Sequence, residues 1–333
     1  MSEYRQDPHS GGWVLVAPER GNRPGKRDWA HAQPDVGWHD ATCPFCAGQE
    51  ALLPEILEEM PASDPPGWLT RVVPNKFPAL AVDAETSGAR DASGGRLEAG
   101  FGRHDVIVES ARHDGDFANF TDVELDAVLR TYRARYVALA AQPRTRHVVL
   151  FRNRGRRAGA SLSHPHAQIV AMDRLPPRVK RIAASARNHH RRYGRCATCR
   201  EVEDLLAHRE RLVRETPRFV LAVPYAPAGP FELVLIPRRH AASFGDADDL
   251  ELHELGDLLR WAVARLDGLL ETPPYNLALE SIETEGRGGV SLHWRFSILP
   301  RLTNRGGFEL ATDLAINPSS PERDARILRE AAG

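Results

Sequence analysis

Apolar residues in this chain fall into short runs separated by turns rich in proline and glycine, with two longer segments that read as helices. The run WVLVAP, within Gly12 to Pro18, reads as a strand, and the basic, twice proline-broken PERGNRPGKRDW follows it as a loop. RVVPNKFPAL, within Leu69 to Leu80, predicts a strand entering a turn that exposes Asn75 and Phe77. From Ser87 to Gly102 the composition shifts to Gly, Ala and Asp, which predicts a mobile loop. Asp105 to Ser110 (DVIVES) alternates as a strand, with His113 just beyond its end. Thr121 to Ala141 opens with a threonine at the N-cap position and an acidic first turn. Val123, Leu125, Val128, Leu129 and Tyr132 then recur at helical spacing. His147 to Phe151 is another apolar strand.

The second half repeats this order. Strands are read over Phe219 to Val223 and Glu232 to Ile236, with His240 just past the second, followed by a helix over Leu250 to Leu270. A strand over Tyr275 to Leu279, a loop over Glu283 to Gly289 and a strand over Ser291 to Leu299 complete the set. The separations His113 to His240 and His164 to His293, 127 and 129 residues, agree within two, which marks an internal duplication. Residues 1–190 and 191–333 are the expected halves.

The stretch Phe151 to Met172, FRNRGRRAGASLSHPHAQIVAM, carries the densest candidate chemistry. Residues two apart in a strand share a face, so His164, His166 and Gln168 would lie on one side and Pro165, Ala167 and Ile169 on the other. With Asn153, Gly155, Gly159 and Ser161 nearby, this is a candidate phosphate site. Small residues and backbone N–H groups permit close approach, and imidazole can attack phosphorus. Taken alone, HPH is equally compatible with an edge strand bearing two incidental histidines.

Composition narrows the choice. With 333 residues and 42% hydrophobic content the chain can bury a sizeable core. Lys plus Arg at 44 against Asp plus Glu at 45 gives no bulk reason to expect nucleic acid or a membrane surface as partner. The basic residues are bunched at Arg20, Arg23, Lys26 and Arg27, at Arg152 to Arg157, and at Arg178 to Arg195; the first two groups suit a small phosphorylated ligand, the third a solvated face. The N-terminus lacks an apolar segment of signal length and no run reaches the ~18 residues of a membrane span, so a cytoplasmic location is expected.

All four cysteines fall into two CxxC pairs, Cys43 with Cys46 and Cys196 with Cys199. In a reducing compartment such pairs are redox motifs or metal ligands. Each half then offers the same set: Cys43, Cys46, His113 and His164, and Cys196, Cys199, His240 and His293. Cys2His2 closes a tetrahedral zinc shell, so two structural zinc ions are expected. Pinning His164 to a metal would orient His166, which stays free as a nucleophile. His166 maps onto Arg295 in the second half, so one half alone carries the chemistry. His104, His147, His189 and His190 are read as surface or core residues.

Over nearly its whole length the sequence resembles the galactose-1-phosphate uridylyltransferases of the histidine triad superfamily. LVAPERGNRP, CPFC, NKFPAL, His113 after VIVES, NRGRRAGASLSHPHAQ, HWRFSILPRL and GGFEL carry the likeness. The resemblance implies a duplicated α/β (α+β) fold whose histidine triad-like halves have antiparallel sheets covered by helices. It implies that His166 forms a covalent nucleotidyl-histidine, that His164 binds zinc and that Gln168 holds phosphoryl oxygens. Arg20, Arg23, Asn75, Phe77, Asn153, Gly159 and Ser161 match positions on the nucleotide or its phosphates, and Glu309 a sugar-hydroxyl contact. GASLSHPH, the second CxxC set and GGFEL followed by INP also resemble plant ADP-glucose phosphorylases. The expected reaction is nucleotidyl transfer by double displacement between a nucleotide sugar and a sugar 1-phosphate or phosphate, in a homodimer. Uridylyl transfer between hexose phosphates comes first and adenylyl transfer to phosphate second. A zinc-stabilised nucleic-acid-binding protein is the non-enzymatic alternative; near-neutral charge and the lack of an aromatic stacking series count against it.

Overall fold

A computed structural model of the chain describes residues 2–22, 37–63, 67–84, 89–90, 96–282 and 292–331. Arg23, Lys26 and Arg27, the loop expected at 283–289 and residues 87–88 and 91–95 of the loop expected at 87–102 lie outside them. In chain order the strands are β1 (Glu3–Gln6), β2 (Trp13–Val16), β3 (Glu58–Ala62), β4 (Gly67–Pro74), β5 (Ala89–Arg90), β6 (Arg96–Leu97), β7 (Gly102–Val108), β8 (His147–Arg154), β9 (His166–Met172), β10 (Leu212–Glu215), β11 (Phe219–Ala222), β12 (Leu233–Pro237), β13 (Tyr275–Glu280), β14 (Arg295–Pro300) and β15 (Ala315–Asn317). The helices are α1 (Asp122–Ala140), α2 (Pro177–Tyr193), α3 (Ala197–His208), α4 (Asp249–Leu270), α5 (Gly307–Thr312) and α6 (Pro321–Glu330).

Ten strands build one antiparallel sheet in the order β10-β11-β12-β14-β13-β8-β9-β7-β4-β3. Outward from its centre the order is β8, β9, β7, β4, β3 on one side and β13, β14, β12, β11, β10 on the other, so the duplication reappears as a pseudo-twofold arrangement. The two sheets expected from the halves are thus continuous. β8 and β13 are the inner edges of their halves, and their pairing, Tyr275 opposite Arg154 through Ala278 opposite Phe151, satisfies both sets of edge groups. Residue 190, the expected boundary between halves, falls inside α2.

One sheet face carries the main core. Ile107, Leu150, Ala167 and Ile169 of the first half, and Leu235, Leu277, Phe296 and Ile298 of the second, pack under α1 and α4. These helices start as their sequences dictate. Thr121 and Glu124 form a capping box at α1, and Asp248 and Glu251 form one at α4. They approach closely at Gly256, where a Cβ would lie 3.3 Å from Leu125 and Leu129 side-chain atoms.

On the opposite face the halves differ. In the second half, Val202 and Leu205 of α3 cover Val220, Ala222, Val234 and Ile236, while Ile182, Ala183 and Ala186 of α2 pack on Ile282 and Leu292. The basic residues of α2 remain on its outer side, as expected for a solvated face. A small sheet, β1-β2-β15, joins the chain ends, with β2 parallel to β15. It brings the PERGN turn against the INP segment: the Ala17 N–H donates to the Asn317 carbonyl (2.7 Å), and a Cβ at Gly21 would lie 2.9 Å from the Pro318 oxygen.

Candidate active site and metal centres

The register of β7, β8 and β9 assembles the candidate site on the face away from the main core. Val106 lies opposite Gln168 and Val108 opposite His166, Phe151 opposite Gln168, and Asn276 opposite Asn153. Directly opposed residues share a face, so His104, His166, Gln168, Asn153 and Asn276 project to the same side. β9 begins at His166 rather than at His164, since Pro165 has no N–H to give a ladder. His164 sits in the preceding bend, yet both imidazoles face Phe45, with ring centroids 5.8 and 5.4 Å away.

His166 is buried and its Nδ1 lies 2.8 Å from the His164 carbonyl oxygen. A carbonyl only accepts, so Nδ1 carries the hydrogen and Nε2 keeps a bare lone pair. Burial holds this imidazole below its ordinary range, which keeps it neutral. Two residues on, Gln168 Oε1 lies 2.9 Å from His104 Nε2. His104 also lies 3.1 Å from Asn75 Nδ2 and receives the Ala79 N–H at 3.1 Å. Phe77, 83% exposed, donates its N–H to Asn75 Oδ1 (2.8 Å), which fixes the turn after β4.

The loop before HPH is a single 3-10 turn, Arg156–Ala158, flanked by Gly155 (φ +80°) and Gly159 (φ +94°), both in the region that glycine alone enters without strain. Asn153 Nδ2 donates to the Gly159 carbonyl (3.4 Å). Asn276, from the second half, donates to Asn153 Oδ1 (2.8 Å) and to the Ala158 carbonyl (2.7 Å). Ser161 stands exposed on the same loop. Arg157 reaches Asn304 Oδ1 at 3.3 Å, tying this loop to the segment ahead of α5. There the Glu309 carboxylate accepts the Gly306 N–H (3.0 Å) as a cap. Arg20 sits half-buried on the turn Pro18–Asn22 after β2. Thus His166, Gln168 and Asn75 are linked through β9 and His104, and Asn153 with Gly159 through their own bond. Arg20 follows β2 and Glu309 lies on α5 ahead of β15, and Arg23 lies outside the described residues.

Each half also assembles its four candidate metal ligands, with ligand atoms within 4.8 Å of one another. Cys46 Sγ lies 3.4 Å from His113 Nδ1 and 3.6 Å from His164 Nδ1; Cys199 Sγ lies 3.3 and 3.5 Å from His240 and His293 Nδ1. A tetrahedral cation with bonds of ~2.3 Å to sulfur and ~2.05 Å to nitrogen separates its ligands by about 3.5 Å, so both sets fit. The outer hydrogen bonds repeat too. His164 Nε2 lies 2.8 Å from the Ser110 carbonyl and His293 Nε2 2.8 Å from the Pro237 carbonyl. Each bond places the hydrogen on Nε2 and frees Nδ1 for a cation. Burial pushes the Cys43 thiol up to about 11, a penalty that a neighbouring cation would offset for the thiolate.

Below the sheet runs a buried ionic network that links the halves. Arg152 pairs with Glu109 (2.7 Å) and Asp116 (3.0 Å) and donates to the Tyr275 hydroxyl (2.6 Å). Arg154 pairs with Asp116 (2.7 Å) and Asp267 (2.6 Å), and the Tyr132 hydroxyl donates to Glu109. In the second half Arg295 occupies the position of His166 as the first residue of β14. It pairs with Glu280 (2.9 Å), which also lies 2.9 Å from His9 Nε2. The pseudo-equivalent site is therefore filled by the chain's own ion pairs. From sequence, His104 is read as an incidental surface or core histidine and Arg152 as part of a ligand-side basic group, while Asn276 and Glu109 are passed over. Of these, only His104 has a local signal, its even spacing with Val106 and Val108 along β7.

The model of a family described as Galactose-1-phosphate uridyl transferase, N-terminal domain, matches residues 1–176. The chain is similar to an ADP-glucose phosphorylase of Arabidopsis thaliana, 32% identical over 98% of this chain and 92% of that protein. It is also similar to a galactose-1-phosphate uridylyltransferase of Thermotoga maritima, 26% identical over 99% and 98%. Its fold matches the crystal structure of the Arabidopsis thaliana ADP-glucose phosphorylase with bound ADP-glucose, with a TM-score of 0.86 and 31% identity over 100% of this chain and 99% of that one.

Proposed function

As the chain belongs to the galactose-1-phosphate uridyl transferase family and is a nucleotidyltransferase, we propose that it transfers a nucleotidyl group from a nucleotide sugar through a covalent intermediate on His166. The observation that carries this reading is the Nδ1–H of His166 held by the His164 carbonyl, which leaves Nε2 as a neutral nucleophile on the face away from the main core. Nε2 attacks the α-phosphorus, and the bond from that phosphorus to the bridging oxygen breaks. The sugar 1-phosphate departs with the electron pair, and the positive charge on the imidazole ring is shared with the His164 carbonyl dipole. A second phosphate oxygen then attacks the same phosphorus and the P–N bond breaks. Gln168 and Asn153 stand where they can hold the phosphoryl oxygens, and the two glycines let the 155–159 backbone come close.

In this proposal Cys43, Cys46, His113 and His164 hold one zinc ion and Cys196, Cys199, His240 and His293 a second. Zinc would supply structural crosslinking only, because four protein ligands close each shell. The protein is proposed to work as a cytoplasmic homodimer without nucleic acid or membrane as partner.

Uridylyl transfer between hexose 1-phosphates follows the family. A second reading, adenylyl transfer from an ADP-sugar to phosphate, is favoured by the greater likeness to the ADP-glucose phosphorylase. Incubation with UDP-, ADP- and GDP-sugars, with sugar 1-phosphate release and intact mass followed together, tests both. Release with an adduct that His166→Gln abolishes supports the mechanism. Sugar 1-phosphate release without an adduct, or no release from any donor, would overturn it.

A further inference from the structure

His104 touches both Asn75 and Gln168, and its hydrogen-bond polarity can be deduced. The Ala79 backbone N–H, 3.1 Å from Nδ1, can only donate, so Nδ1 is an acceptor and the single hydrogen of the neutral ring resides on Nε2. That hydrogen points at Gln168 Oε1, 2.9 Å away, which turns the Gln168 NH2 away from His104. Asn75 obeys the same logic. Its Oδ1 is taken by the Phe77 N–H (2.8 Å), and its Nδ2, 3.1 Å from His104 Nε2, cannot donate to a nitrogen that already carries a hydrogen. Its NH2 hydrogens stay available.

We propose that His104 is a positioning residue that sets the polarity of the nucleotidyl-transfer site, so that the amide NH2 groups of Gln168 and Asn75 are both presented as donors to the phosphoryl oxygens. The inference rests on the nucleotidyl-transfer reading and assigns to that site a residue outside its expected motif. With the opposite tautomer, Gln168 would turn its carbonyl toward an anion, a repulsive arrangement.

The test combines variants with a measurement on the unmodified protein. His104→Phe should slow nucleotidyl-His166 formation in single-turnover mass spectra by roughly 10- to 100-fold, with the loss in kcat rather than in KM. His104→Gln, which retains both a donor and an acceptor, should recover most of it, whereas His104→Glu, an acceptor only, should not. Should His104→Phe fail to fold, the Gln and Glu pair carries the comparison. In protein labelled with 15N-histidine, the His104 ring, assigned by its disappearance in the variants, should show its hydrogen on Nε2. A hydrogen on Nδ1, or adduct formation in His104→Phe or His104→Glu within about twofold of the unmodified rate, overturns the proposal. Such a result, with a normal adduct in the unmodified protein, removes only the role of His104. No adduct in the unmodified protein from any nucleotide sugar removes the nucleotidyl-transfer reading and this role with it.

Discussion

Replacing Arg152 with methionine should destabilise the protein far more than the loss of a surface charge. Arg152 and Glu109 are 3% and 0% exposed at their side chains, and their 2.7 Å ion pair lies between the sheet and α1. Methionine keeps much of the aliphatic volume but removes the only arginine paired with Glu109 among the described residues. It leaves that carboxylate with the Tyr132 hydroxyl. Asp116 keeps Arg154 at 2.7 Å, so the uncompensated charge is that of Glu109. Breaking one partner of a buried pair costs about 3–5 kcal/mol. At ~2.1 cal/mol/K of unfolding entropy per residue, a chain of this length loses about 4–7 °C in Tm. Calorimetry of Arg152→Met, Glu109→Gln and the double variant measures it. The double variant should melt above Arg152→Met, because neutralising Glu109 removes the buried charge. A Tm for Arg152→Met within about 1 °C of the parent, or strictly additive losses in the cycle, would refute the reasoning.

Three further outcomes are expected. Burial holds the His147 imidazole down to about 4, against 6.5 for the free group. The folded chain therefore binds fewer protons in that window, and its stability falls on acidification from pH 6.5 to 4 by about 3 kcal/mol. His147→Phe should flatten this part of the pH dependence of the urea midpoint, and an unchanged slope would contradict it. A chelator should strip metal in two phases, the faster from the second set, where His240 is exposed and Cys199 half-buried, the slower from the first, where all four ligands are buried. Release to a chromogenic chelator in a single phase, or a fast phase that survives Cys199→Ser, would be the opposite result. Asn276→Ala removes both bonds that brace the glycine loop from the second half. It should lower kcat/KM about tenfold, a loss of about 1.4 kcal/mol, and an unaltered kcat/KM would show that the loop holds its shape without it.

Local chemistry was legible in the sequence; assembly was not. The Thr121 cap, the strand around WVLV, the two CxxC pairs and the HPH segment each announce themselves through neighbouring residues. The matched separations of His113 from His240 and of His164 from His293, 127 and 129 residues, revealed the duplication. The joining of the halves into one sheet depends on β8 meeting β13, more than a hundred residues apart, and no local pattern encodes that pairing. His104 looked like an incidental histidine because its significance comes from the Ala79 N–H and from Gln168, 64 residues away. Asn276 was hidden for the same reason: the loop it braces belongs to the other half. Arg152 was counted within a basic cluster on the ligand side, but strand alternation sends it, unlike Asn153, to the core face.

The central pairing of β8 with β13 also governs how this chain can fold and fail. Strands so distant in sequence meet only after a large loop-closure entropy has been met, so the seam should form late and folding should be slow. Until then each half exposes an unpaired inner edge. The edge of β8 alternates Val148, Leu150 and Arg152 on one side with Val149, Phe151 and Asn153 on the other, a ready template for self-pairing. A chain interrupted between the halves would keep that edge open. Because the seam is pseudo-symmetric, a second copy of the same fragment would offer the nearest substitute for the missing strand, and domain-swapped or aggregated material would follow from truncation at this point.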